Sequence, residues 1–276
     1  MLHASHAGEL GNAELVSKYG FALRQNPFTV VSLDKAALLA GAEAWLGQRA
    51  ARRRARFLRT HTRVLAVDAD GDDEEPLEAL PNAHVSPSLF VALRVLGAPN
   101  EEAATWRGVA DALALPGGDS SSRMPQVPPA QLWPVLDEDG KRHSKTGAAA
   151  AEAKWRHERP GLEQLLGAGA CELLIDVVGQ RLQSFPTDLS ASWKALADAQ
   201  EAARSGPLSE QQSATVTALM LRATEQEILC NLVDAAKQRL ELIRCSNTEA
   251  GVESGAAAAV AGGNKRRGSK RRKAGP

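Results

Sequence analysis

The chain has 276 residues, 43% of them apolar and only 4% aromatic, with 33 Lys and Arg against 33 Asp and Glu. That length suits one large domain or two small ones, and an Ala-rich, aromatic-poor composition favours helices over sheets. No apolar run is long enough to cross a bilayer and no apolar leader follows Met1, so membrane-embedded functions are excluded.

Three scattered cysteines (Cys171, Cys230 and Cys245) show no CxxC spacing, which argues against a disulfide scaffold and a zinc site and for a reducing intracellular compartment. The charge is unevenly placed. Seven basic residues and no acid lie between Lys265 and Lys273, leaving 26 Lys and Arg against 33 Asp and Glu in the rest. An acidic body with a basic tail is the expected form.

Residues 1–11 read as an irregular start, with His3 and His6 solvated rather than metal-bound; no metal is expected. Residues 12–18 read as a helical turn that leads into Tyr19-Gly20-Phe21. A Tyr hydroxyl can orient an amine, a Gly permits close approach, and a Phe offers a flat face to a ring or an alkylammonium. The wider stretch Asn12-Ala13-Glu14-Leu15 through Tyr19-Gly20-Phe21 to Asn26-Pro27 resembles the closing segment of the SET fold in protein-lysine methyltransferases of the Rubisco large-subunit methyltransferase type. In that family a helical substrate-binding domain follows. The resemblance implies a catalytic, lysine-orienting role for Tyr19 and a cofactor-binding role for Phe21 in the S-adenosylmethionine or lysine channel.

Phe28-Thr29-Val30-Val31-Ser32-Leu33 is β-branched and aromatic, which predicts a short strand. Asp34 is expected to cap one helix carrying Ala37, Leu38, Trp45, Leu46, Ala50 and Phe57 inward. The arginines of its second half (Arg49, Arg52, Arg53, Arg54, Arg56 and Arg59) are expected on a solvated face. Residues 63–67 are predicted to pair with 28–33. The acidic run from Asp68 to Glu75 lacks the spacing of a calcium loop.

Ser86-Pro87 opens a helix with Ser as N-cap and Pro at N1. Its sequence through Leu96 resembles a helix of the same family's substrate domain. Asn100 is expected to cap a further helix that includes Trp106, Val109 and Leu113. A loop rich in Pro, Gly and Ser follows, with an Ala-rich insertion over about 116–169. From Ala170 a stripe of Cys171, Leu174, Val178, Leu182 and Phe185 marks a helix ended by Pro186, with Thr187 expected to cap the next. Ser209 and Gln212 form a capping box that opens a long helix through about Arg244. Within it, Ala218 to Leu229 resembles another family segment, in which Gln226 and Glu227 are departures expected at the surface. Residues 247–276 are low in complexity and are expected to be disordered.

These readings predict a mainly α protein with a small β element at the N-terminus. Residues 1–33 are expected to be the end of a SET domain and 34–246 a helical substrate-binding domain, with a basic tail after them. The resemblance implies transfer of a methyl group from S-adenosylmethionine to a lysine of a protein substrate. The Gly-rich and Asn-His segments that build the cofactor site in that family are not found in this sequence, so this chain alone is not expected to bind S-adenosylmethionine. The alternative function is a non-catalytic helical protein-interaction module. Nucleic-acid binding is disfavoured, because the basic runs lack interleaved aromatics. The basic tail points to a nuclear location, with the cytoplasm and, from the family, the plastid as alternatives.

Overall fold

The structure, a computed structural model, describes residues 10–61, 76–106, 167–204 and 209–261. The expectations for His3 and His6, the strand 63–67, the acidic run to Glu75, Val109 and Leu113, most of the insertion, and the basic clusters from Lys265 lie outside the described residues. Within them the protein is mainly helical, with one small antiparallel sheet.

Helix α1 (Asn12–Tyr19) starts after Gly11, whose N–H donates to the Glu14 carboxylate at 3.1 Å. It ends at Gly20, which turns to φ 74° and returns its N–H to the Val16 carbonyl at 3.0 Å. Only glycine takes that conformation without steric cost. Strand β1 is shorter than predicted, Val31–Ser32, and Phe28 lies outside it, 42% exposed. Its neighbour is β2 (Glu78–Leu80), which pairs in turn with β3 (His84–Val85), so that Val31, Ala79 and Val85 stand opposite one another.

Asp34 caps helix α2 (Lys35–Leu46) as expected, accepting from the Ala36 N–H at 2.8 Å. The expected single helix is two. Gly47, at φ 79°, breaks the run and starts α3 (Gln48–His61) on a new axis. Helix α4 (Pro87–Gly97) has the predicted Ser86 cap, whose hydroxyl accepts from the Leu89 N–H at 3.3 Å. Every residue from Ser88 to Gly97 is buried. A helix apolar on all sides belongs at the centre of a core, and the remaining elements are arranged around this one.

Asn100 is the first residue of the short α5 (Asn100–Ala103) rather than its cap, and the helix stops before Trp106. Trp106 packs instead on Phe57, ring centroids 5.9 Å apart. Helix α6 (Ala168–Gln183) buries Cys171, Leu174 and Val178 as predicted, together with Leu173 and Val177. It crosses α4 at backbone contact: a Cβ on Gly97 would lie 2.3 Å from the Ala170 Cα. Helix α7 (Leu189–Arg204) is capped by Asp188, not Thr187. The Asp188 carboxylate accepts from the Ala191 N–H at 2.7 Å, while the Thr187 hydroxyl pairs with that of Ser192.

Helix α8 (Glu210–Ala261) opens on the predicted capping box. Gln212 N–H donates to the Ser209 hydroxyl at 3.2 Å, and Ser209 N–H to the Gln212 side chain at 2.9 Å. Its inward face carries Ala223, Ile228, Leu229, Leu232, Val233, Ala236 and Leu240 against α6, α7 and the sheet. The helix continues to Ala261, past residue 247, where the expected low-complexity tail starts; a run rich in Ala propagates a helix already nucleated. One hydrophobic core joins Val31, Leu33, Ala79 and Val85 of the sheet region to α2, α3, α4, α6 and α8.

Candidate functional site

The motif at residues 12–28 is held by two buried asparagines, Asn12 (1% exposed) and Asn26 (8%). Asn12 Nδ2 donates to the Leu23 carbonyl at 2.8 Å, and its Oδ1 accepts from the Leu23 N–H at 3.0 Å. The primary amide thus pairs with one residue as a strand neighbour would. Asn26 Nδ2 donates to the Leu10 carbonyl at 2.9 Å and to Asn12 Oδ1 at 3.2 Å, while its Oδ1 accepts from the Phe28 N–H at 3.0 Å. These bonds close residues 10–28 into one loop. The loop is moored to α8 by Asn12 Nδ2 to the Thr224 hydroxyl, 3.4 Å, and by the Thr217 hydroxyl donating to the Gly20 carbonyl, 3.2 Å. Leu15 is its apolar anchor, 3% exposed.

What this frame presents is aromatic. Tyr19 is 58% exposed and Phe21 44%, with ring centroids 6.1 Å apart and planes inclined at 35°. The left-handed Gly20 between them ends α1 and reverses the chain, which brings the two rings side by side. Leu23 and Phe28 add exposed apolar surface from the same loop. Beside them, Arg24 lies over the Trp193 ring at 4.8 Å, a cation–π contact that ties the loop to α7. The sequence-predicted residues Tyr19 and Phe21 are therefore neighbours on an open surface rather than packed core. Together they form one exposed aromatic face of the loop.

Neither Tyr19 nor Phe21 lines either of two surface clefts. One, of about 460 Å³, lies between Asp34 at the start of α2 and Arg181 and Ser184 at the end of α6. The other, of about 330 Å³, lies between the Arg24–Pro27 turn, the β2–β3 hairpin tip and α8. Among the described residues no cluster of His, Cys, Asp and Glu could hold a metal ion. The Cys171 thiol is pushed up to about 11 by burial, which leaves it protonated and unreactive at neutral pH. No described helix is long and apolar enough to cross a membrane.

Two residues expected in solvent are buried. Arg54 is 2% exposed, and its Nη1 donates to the carbonyls of Val95, Leu96 and Ala98 while Nη2 donates to Asn100 Oδ1 at 2.8 Å. The guanidinium closes the C-terminus of α4, where unpaired carbonyls and the helix dipole favour a cation. Burial, with the nearby Arg53, brings its pKa down to about 10, so the charge persists at neutral pH. Gln226 is 1% exposed and donates from Nε2 to the Thr187 carbonyl at 2.6 Å, joining α8 to the α6–α7 turn. Its place in the sequence is therefore a packing position and not a surface departure.

Arg54 could have been found in the sequence from one signal. It falls in line with Ala51, Ala55 and Leu58 on the apolar stripe of α3, whereas Arg52, Arg53, Arg56 and Arg59 do not. In comparisons with known proteins, no family model and no curated protein matches the chain.

Proposed function

We propose that the chain is a protein-lysine N-methyltransferase family member of the Rubisco large-subunit methyltransferase type, represented by the closing edge of its SET fold and by its helical substrate-binding body. One observation carries this reading. The Asn12–Asn26 loop is built with buried amides, yet it spends that rigidity on holding Tyr19 and Phe21 outward. Exposed aromatic and apolar groups at one place mark a surface that another surface covers. In this reading the covering surface is the remainder of a SET domain. Tyr19 then presents its hydroxyl to the lysine amine, and Phe21 contributes a wall of the channel. The role of Tyr19 is positioning, since the hydroxyl orients the amine without taking part in covalent chemistry.

The same surface favours a second reading, a helical docking module with no chemistry of its own, because Tyr19, Phe21, Leu23 and Phe28 are exposed on one loop and lie outside both clefts. Complementation separates the two. A plant-type SET domain deleted of its closing Asn-to-Pro segment is mixed with this chain, and methyl transfer to a lysine-rich protein is followed. The first reading predicts a complex that restores transfer, with Tyr19→Phe lowering the rate about a hundredfold while the complex persists. A complex without transfer supports the docking module. Absence of a complex overturns the methyltransferase reading.

A further inference from the structure

The cleft of about 330 Å³ has a composition suited to one kind of ligand. Its floor is a single face of α8: Thr224, Glu227, Ile228 and Asn231 recur at the three- and four-residue spacing that aligns helix side chains. Ile228 is buried and gives the floor an apolar centre. Three primary amides come to the rim from three separate elements. Gln25 comes from the N-terminal loop, Asn82 from the hairpin tip and Asn231 from α8. Among the described residues none of these three amides makes a hydrogen bond within the protein, unlike Asn12 and Asn26 close by. Asn82 holds a left-handed backbone, φ 60° and ψ 35°, which asparagine tolerates better than other side-chain-bearing residues.

A primary amide carries both a donor and an acceptor, so it can meet the N–H or the C=O of an extended main chain. The walls at Pro27 and Pro81 have no N–H to compete for those groups. The charges at the cleft are Arg24, held over Trp193, and the exposed carboxylate of Glu227. One committed cation and one open anion suit a basic peptide and repel a polyphosphate backbone. We propose that this groove holds an extended segment of polypeptide bearing a lysine or arginine. Its main chain pairs with the amides of Gln25, Asn82 and Asn231, and its cation faces Glu227. The inference rests on the functional reading above only in taking the ligand to be part of a protein substrate.

The test uses the full chain labelled with nitrogen-15 and two capped peptides, acetyl-Ala-Lys-Ala-Ala-amide and its Lys→Glu counterpart. The side-chain amide resonances of Gln25, Asn82 and Asn231 are followed during titration. The lysine peptide should shift all three and saturate, and the glutamate peptide should bind about threefold more weakly or worse, as expected for an exposed ion pair. Asn231→Ala should weaken the lysine peptide about fivefold. Asn82→Gly is the second variant, since it removes an amide while accepting the left-handed backbone. Shifts confined to other residues overturn the proposal, as do equal affinities for both peptides or variants that bind like the parent chain. Lost peptide binding with intact complementation sinks the groove alone. Intact peptide binding with failed complementation sinks the methyltransferase reading alone.

Discussion

Asn12 and Asn26 meet side chain to side chain: Asn26 Nδ2 donates to Asn12 Oδ1 at 3.2 Å, and between them the two amides satisfy backbone groups of Leu10, Leu23 and Phe28. Because both are buried, deleting one leaves its partners without water. Asn12→Ala should destabilise the protein by about 2 kcal/mol. Asn12→Asp should cost at least as much, since the carboxylate still accepts from Leu23 N–H and Asn26 but buries an unpaired charge and turns an oxygen toward the Leu23 carbonyl. Urea unfolding at constant slope is the measurement.

Arg54 is a fixed cation serving three carbonyls and one amide through a single planar fork. Arg54→Met should cost about 3 kcal/mol, because the end of α4 is left with buried, unpaired carbonyls. Arg54→Lys should recover less than half of that loss, since an ammonium is a point charge without the fork. Thermal unfolding of the pair decides it. Full rescue by lysine would mean that charge alone, not geometry, closes the helix.

Two glycines should respond differently to alanine. At Gly97 the added Cβ would meet the backbone of Ala170 at 2.3–2.4 Å, so α4 and α6 must separate. The expected cost is about 3 kcal/mol or more. At Gly20 there is open space and only the left-handed φ of 74° to resist, worth about 1–2 kcal/mol. Calorimetry should rank Gly97→Ala as the more damaging.

Glu225 is half-buried on α8, and desolvation raises its pKa above 4.5 against an opposing pull from Arg181. The folded state therefore holds this proton more tightly than the unfolded chain. The sign follows from linkage: stability falls as pH rises from 4.5 through the raised folded value, and the penalty is fully present above that value. Glu225→Gln should stabilise the protein at pH 7, and the advantage should shrink as pH falls toward 4. An advantage independent of pH would assign the effect to packing instead.

The parts of the fold legible in the sequence are those decided within a few residues. Asp34, Ser86 and the Ser209–Gln212 pair each announce a helix start through a bond to a backbone group or side chain two or three residues on. The long stripe of α8 needs only its own period. What was not legible depends on distant partners. Arg54 looks solvated until the end of α4, more than forty residues later, supplies carbonyls for it. Gln226 looks like surface until Thr187 meets it. Strand β2 has three residues, Glu78, Ala79 and Leu80, with no β-branched side chain, and exists because β1 and β3 flank it. Gly47 sat inside an unbroken apolar period, which hid the turn. At the candidate site, the exposure of Tyr19 and Phe21 was not legible. It follows from Asn12 and Asn26 closing the loop behind them.

A SET partner covering the Tyr19–Phe21 face would meet the Tyr19 ring directly, and Tyr19 is the only tyrosine in the chain. Replacing it biosynthetically with 3-fluorotyrosine therefore gives one fluorine resonance at the site. Adding the SET domain lacking its closing segment should move that resonance, with saturation at the stoichiometry of the complex, and Phe21→Ala should weaken the effect without unfolding the chain. A complex detected by sedimentation in which the fluorine resonance stays at its free position would contradict it.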